Sequence, residues 1–294
     1  MRKRYLILSL LGIIFLCSFP FIELNAQSVW VVEKGATLRA ASSDTLGVSD
    51  FRVLYDYKFM PDTLARDNFD EFTTILQISK NGLSSYTDYH HYRRDSISIS
   101  YTKNGRIEAE KSNEATRMAG KVYDSNVFFK NYPEKGKLMF CGFALIDKYT
   151  YTEELPEFEW EVLPAEKLEI MGYPCHKARG VFAGRTWNVW FTEEIPVSNG
   201  PWKFNGLPGL VLKAEDDRGE FFFTAKSIEN IRSAIFVQSL ADCFKSTKAQ
   251  YQAAYERGLK NGRAVLRNSG KITVSGGKAA NTSVGKPYNP IERE

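Results

Sequence analysis

Histidine and cysteine are scarce in this chain: three histidines and four cysteines among 294 residues. Neither His-Glu-x-x-His nor a paired Cys-x-x-Cys occurs, so the usual spacings of a zinc site are missing and no metal is expected. His90–His91 and Cys175–His176 are adjacent pairs. On a strand, neighbouring side chains point to opposite faces, so neither pair closes on one ion. Also missing are a Gly-x-Ser-x-Gly elbow, a Walker loop and a Rossmann fingerprint. No catalytic residue and no cofactor is therefore expected. The charges are mixed, with 39 basic and 35 acidic residues. No long basic block stands out, which argues against nucleic acid as a partner.

Long apolar runs are missing too, apart from the beginning of the chain. Arg2, Lys3 and Arg4 precede the apolar stretch Tyr5 to Cys17, and Leu24-Asn25-Ala26 offers a small-residue cleavage site. This is the layout of an export signal over 1–26, too short to span a bilayer, with the mature chain starting at Gln27. Leu16 before Cys17 is a poor fit to a lipoprotein signal, which wants a small residue there. Beyond it no run of about 18 apolar residues follows, so no transmembrane segment is expected in the mature chain. The protein is placed in the periplasm or at the cell surface. Export permits disulfides. Cys141, Cys175 and Cys243 remain after cleavage; one pair with one free thiol, or three buried thiols, both fit, and spacing does not choose the pair.

What is abundant is strand-forming residues. Phe51 to Phe59 alternates, with Phe51, Val53, Tyr55, Tyr57 and Phe59 on one face. Phe72 to Ile78 repeats the pattern, and the Asn81-Gly82 turn leads into a further strand from Leu83 through Tyr92. Leu138 to Phe143 and Phe158 to Leu163 are short strands. Cys175 to Phe182 and Arg185 to Thr192 flank an Ala183-Gly184 turn, and Leu210 to Ala214 returns through Asp216–Gly219 to Phe221, Phe223 and Ala225. Glu108 to Ala119 reads as a weak helix or a mobile excursion. Thr247 and Gln250 resemble a capping box ahead of Tyr251, Ala254, Tyr255 and Leu259, a helix that Gly262 should stop. After Ser269 the chain loses periodicity and reads as a mobile loop ended by Tyr288-Asn289-Pro290-Ile291. The expected fold is mainly β: one strongly curved, half-barrel-like antiparallel sheet with a C-terminal helix packed on it. The expected division is a signal over 1–26, one domain over 27–265 and a tail over 266–294.

Gly206-Leu207-Pro208-Gly209-Leu210-Val211 predicts a type II turn, with a positive φ at Gly209. With Gly172-Tyr173-Pro174-Cys175-His176, Gly184-Arg185-Thr186-Trp187, Trp190-Phe191-Thr192, Glu194-Ile195-Pro196 and Gly200-Pro201-Trp202-Lys203-Phe204 it forms an ordered set of words. This set resembles the GLPGLI family of exported bacterial proteins, with Val211 where the family name has Ile. The closing residues Tyr288 to Glu292 are similar as well. The resemblance implies export and a β-rich fold, and carries no settled activity or catalytic residue.

Two readings of this region stand side by side. Arg185, Trp187, Trp190 and Trp202 could offer a cation and aromatic faces to a ligand. Alternatively they are a surface arginine beside core tryptophans. Glu153, Glu154, Glu157, Glu159 and Glu161 could serve glycoside hydrolysis, but their alternation with Phe158, Trp160 and Val162 fits a solvated face. Asp44-Thr45-Leu46, Asp62-Thr63-Leu64 and Asp95-Ser96-Ile97 resemble a short O-glycosylation pattern. The function expected is a non-enzymatic envelope binding or carrier protein, holding an apolar small molecule or an envelope protein. The alternative is a structural or interaction accessory of an outer-membrane complex, with an exposed patch near Pro201 to Pro208; a hydrolase is third.

Overall fold

The computed structural model describes residues 6–7, 31–32, 35–40, 42–238, 240–268 and 288–293. Apart from Leu6–Ile7, the expected signal over 1–26 lies outside the described residues, as does most of the expected loop after Ser269. The strands up to the first helix are β1 (Leu6–Ile7), β2 (Val31–Val32), β3 (Thr37–Arg39), β4 (Ser43–Ser49), β5 (Phe51–Phe59), β6 (Asp70–Ile78) and β7 (Ser84–Asp88). Then come α1 (Tyr89–Tyr101), β8 (Arg106–Glu108), α2 (Ala109–Ala119), β9 (Val127–Lys130), β10 (Lys137–Ala144) and β11 (Asp147–Glu154). The C-terminal half holds β12 (Glu161–Ile170), β13 (Tyr173–Phe182), β14 (Arg185–Thr192), β15 (Leu210–Asp216), β16 (Phe221–Glu229), β17 (Ser233–Gln238), β18 (Phe244–Lys245) and α3 (Lys248–Asn268).

One curved, unclosed sheet of 12 strands dominates, in the order β12-β13-β14-β15-β16-β5-β6-β7-β9-β10-β11-β18. All neighbours pair antiparallel except β11 with β18. Period-two alternation explains the main core. Val53 and Tyr55 of β5, Trp187 and Val189 of β14 and Phe221 and Phe223 of β16 turn to one face and are fully buried. The loop between β14 and β15 folds over that face and adds Trp202, Phe204 and Leu207. At the other end α3 lays Tyr251 and Tyr255 on Phe140 and Tyr151. The β4–β17 ribbon covers a smaller cluster around Phe129 and Cys141.

The expected strand from Leu83 to Tyr92 stops at Asp88, and α1 follows. The reason is a cap that the aromatic and β-branched composition masks. Asp88 Oδ1 accepts from the His90 and His91 backbone N–H groups at 2.6 and 3.0 Å, satisfying donors that a helix start leaves bare. His90 and His91 therefore stand on a helix, and the opposite-faces argument does not apply to them. The stretch that reads as a weak helix or a mobile excursion, Glu108 to Ala119, is the end of β8 at Glu108 followed by the helix α2 over Ala109–Ala119. Phe158 to Trp160 precede β12 rather than belong to it. The Thr247–Gln250 box closes in both directions: Thr247 N donates to Gln250 Oε1, and Gln250 N to Thr247 Oγ1. Gly262 does not end α3; Asn261 breaks the helical dihedrals (φ −133°, ψ 29°) and the helix resumes to Asn268.

The expected type II turn at Leu207–Leu210 is corrected. Gly209 does not have positive φ; Gly206 does, at 89°. Gly209 is instead a point of close approach, since a Cβ there would lie 2.0 Å from the Thr192 carbonyl oxygen. The expected patch at Pro201 to Pro208 is also corrected. Trp202, Lys203, Phe204 and Leu207 are buried, because this loop forms one wall of the core.

Candidate functional site

Arg185 opens β14 just after the Ala183-Gly184 turn, where both residues take positive φ. Its position points it inward, and it is 1% exposed. The expectation of a surface arginine is thus overturned. Burial of a guanidinium demands partners, and it has five. Nη1 donates to Asp216 Oδ2 (2.7 Å) and Glu220 Oε2 (2.8 Å). Nη2 donates to Asn289 Oδ1 (2.8 Å) and the Pro290 carbonyl (2.7 Å), and Nε to the Ile291 carbonyl (2.9 Å). The Phe221 ring lies 4.3 Å from the guanidinium carbon. Asp216 is itself fixed by accepting from the Glu220 and Phe221 N–H groups at its other oxygen. Burial raises the Glu220 carboxyl, but the hydrogen bonds and charge of Arg185 outweigh it and hold the group below its ordinary value.

The segment Tyr288–Arg293 is therefore seated on the body of the fold. Asn289 Nδ2 donates to the Met60 carbonyl at 2.8 Å, and Arg293 N to the Ala183 carbonyl at 2.8 Å. Glu292 pairs with Lys203 at 2.6 Å and Lys248 at 2.5 Å. Burial raises the Glu292 carboxyl, yet Lys203 more than offsets this and holds it low. Lys203 is fully buried and also meets Glu153 at 2.5 Å. A third buried cation, Lys130, holds the β14–β15 loop. Its ammonium donates to Asn199 Oδ1 (2.7 Å) and to the Gly200 (2.7 Å) and Phe204 (2.8 Å) carbonyls. Burial pushes its pKa well below the usual lysine value.

The four residues singled out in the sequence do not form one constellation. Trp187 and Trp202 meet in the core, 5.5 Å between ring centroids, with exposures of 0% and 2%. Trp190 faces the other side of β14, flanked by Lys213 at 4.3 Å and Lys177 at 5.4 Å. Arg185 faces the closing segment. Gly206, Leu207, Pro208, Gly209 and Leu210 form the return into β15. Cys141, Cys175 and Cys243 are not joined by a disulfide. Burial raises the Cys141 and Cys175 thiols to about 11, so neither is an activated nucleophile. Glu157, Glu159 and Glu161 all face solvent.

Among the described residues one cavity lies at the inner face and another on the opposite face of the sheet, beneath α1 and β17. The larger, about 80 Å³, is walled by Tyr57, Phe72, Trp202 and Phe223, with Asp124 at its polar side and Ile291 among its lining. Burial lifts the Asp124 carboxyl to about 6, against the stabilising Asn126 N–H. The Trp202 indole N–H is buried without an acceptor. The smaller, about 40 Å³, borders His91 and Asp95, whose Nε2–Oδ2 distance is 3.2 Å. Burial raises Asp95, but the charges of His91 and Arg94 outweigh it and leave its pKa well below the carboxylate range. Among the described residues no cluster of three or more His, Cys, Asp or Glu side chains could hold a metal ion.

Sequence reasoning missed the buried roles of Lys130 and Lys203. It noticed the Tyr288–Glu292 word without its partner. The available signal was a pair of matched words at 184–187 and 288–292, each with polar residues among apolar ones.

Comparison with known proteins adds a partial match. Residues 150–252 match the family model described as N-glycanase peptide, N-terminal domain. That stretch includes Arg185, Lys203 and the Gly206–Leu210 return, and excludes the closing segment. Among solved structures, PNGF-II in its C2 crystal form is 14% identical with a TM-score of 0.44, covering 71% of this chain and 33% of that one. Its P21 form gives 15%, 0.45, 72% and 34%. The Pseudomonas aeruginosa MucA/MucB complex gives 9% identity and a TM-score of 0.29, covering 70% of this chain and 55% of the other. The chain thus spans about a third of the PNGF-II chains. No curated protein matches. No helix of the described residues is long and apolar enough to cross a membrane.

Proposed function

We propose that this chain is an exported, non-enzymatic interaction protein of the bacterial envelope, with one β-rich domain of the GLPGLI type over 27–265 and a protein as its partner. The observation that carries this reading is the filled interior. A carrier of apolar molecules needs a pocket of roughly 300–1,000 Å³. Here the rings of Trp187, Trp202 and Phe204 occupy the curved face, and the cavities measure about 80 and 40 Å³. Neither of these two cavities has room for a ligand of acyl-chain size, which favours a partner met at the surface. The matched family model describes one domain of a larger protein, which supports an accessory role.

The surface that fits is the rim at β12. Val162 and Leu168 are 42% and 40% exposed, beside the exposed Glu157, Glu159, Glu161 and Glu169. Pro164 and the register shift between Leu163 and Lys167 interrupt the outer ladder, which blunts strand addition. Contact there runs through side chains, Val162 and Leu168 standing among exposed charges of both signs, Glu161, Glu169, Lys167 and Arg179. A photo-crosslinking residue placed at 162 or 168 in the exported protein should give a discrete protein adduct. The same residue at Leu64, 84% exposed on a distant loop, should give none. Equal labelling at all three positions, or none at any, would count against the rim.

A further inference from the structure

We propose that the groove occupied by Tyr288–Arg293 is a peptide-binding site, and that this segment is its tethered occupant, exchangeable for a partner polypeptide of the same chemistry: an extended Asn-Pro-aliphatic-Glu-Arg sequence. The inference rests on the interaction-protein reading and names the chemistry of a partner.

The segment is read almost residue by residue. The Asn289 amide is held at both ends, by Arg185 and by the Met60 carbonyl. Arg185 also takes the carbonyls of Pro290 and Ile291. Lys203 takes the carboxylate of Glu292, and Glu220 the guanidinium of Arg293 at 2.7 Å. The hairpin turn is shaped to the segment: a Cβ at Gly184 would lie 2.2 Å from the Arg293 carbonyl oxygen. Recognition of backbone carbonyls by a fixed donor, with side-chain pockets between, is how folded domains hold extended peptides.

Three features favour exchange over a permanent clasp. The segment is joined to α3 by 19 residues, 269–287, a contour length of roughly 60 Å, and it belongs to no strand of the sheet, so its release breaks no sheet ladder. An empty groove would strand the buried Nε and Nη2 donors of Arg185, so replacement by another peptide is favoured over vacancy. And Ile291 leaves unfilled the cavity of about 80 Å³ that it lines with Trp202 and Phe223. The resident side chain is therefore smaller than the site can take, and a partner with a bulkier apolar residue there would fit better.

The test uses the full chain and a labelled heptapeptide, Tyr-Asn-Pro-Ile-Glu-Arg-Glu, followed by fluorescence anisotropy. A short tether keeps the resident segment at an effective concentration of order mM, so the peptide should bind wild type poorly. Weakening the resident with Ile291→Asp should tighten peptide binding at least tenfold. Placing Phe at the Ile position of the peptide should tighten it again, and Ala at its Asn position should weaken it at least tenfold. If Ile291→Asp does not fold, Arg293→Glu replaces it, because that side chain is 26% exposed and loses its contacts with Glu220 and Asn289 while the Arg185 bonds to the segment stay in place. A folded variant that ignores the peptide, or binds the Ala peptide equally well, overturns the site. A variant that instead forms dimers by exchanging its own segments overturns the partner in favour of a second copy. Neither failure touches the crosslinks at the β12 rim, which test the broader reading separately.

Discussion

Arg185→Met should cost about 3–5 kcal/mol of stability, the range seen when one partner of a buried ion pair is removed. The guanidinium satisfies five acceptors, of which only Glu220 and Asn289 also accept from Arg293, at 2.7 and 2.8 Å. Methionine fills similar volume, so the loss reports charge and hydrogen bonding rather than a hole. Asp216 is left with a buried oxygen that has lost its donor, and Glu220 keeps Arg293 and Asn289. For a domain of this size the melting temperature should drop by roughly 6–20 °C. Arg185→Lys should recover little, because a point charge cannot span acceptors that a planar fork reaches. The segment at 288–293 should also become open to carboxypeptidase in both variants while the rest of the chain resists. A melting curve within a degree or two of wild type would show that the buried cluster is not what holds the hairpin and the closing segment together.

Gly209→Ala should cost about 1–3 kcal/mol, the range for forcing extra atoms into a filled site. The added Cβ would lie 2.0 Å from the Thr192 carbonyl oxygen and 3.0 Å from the Glu193 nitrogen, both backbone atoms that cannot rotate away. Gly206 has the opposite problem: its φ is 89°, while the nearest atom to a new Cβ is Trp160 Nε1 at 3.5 Å. Asparagine separates the two causes, since it tolerates left-handed backbone but is larger than alanine. Gly206→Asn should therefore be milder than Gly206→Ala, whereas Gly209→Asn should be at least as damaging as Gly209→Ala. Thermal melts of the four variants decide this. Rescue by asparagine at 209 would restore a positive-φ turn at that residue and contradict the close approach.

The strands were legible because their signal is local. Phe51–Phe59, Arg185–Thr192 and Phe221–Ala225 alternate with period two, and one buried face is enough to produce that pattern. The capping box at Thr247 was legible for the same reason, since both partners lie within four residues. The start of α1 was not. Tyr89, Tyr92, Ile97 and Ile99 carry strand propensity, and the Asp88 cap together with the docking of the helix on α2, β6 and β7 overrides it. The site was least legible where charge is buried. Arg185 reads as a surface residue until Asp216, Glu220 and Asn289, up to 104 positions away, are brought to it. Lys130 gives even less warning, because its partners are an amide and two backbone carbonyls that no sequence pattern announces. Gly209 reads in the sequence as a positive-φ turn residue, but a turn and a close approach leave the same letter there.

The filled interior is the central claim, and a native mass spectrum of the protein, purified without detergent or chelator, tests it most directly. The account predicts a mass that does not change on denaturation, because cavities of about 80 and 40 Å³ hold waters or a single small group and not a lipid. A covalent glycan would raise that mass but would remain after denaturation. A lipid or other apolar molecule released on denaturation would contradict the account, and would mean that the curved face opens to admit a ligand where Trp202 and Phe204 now pack.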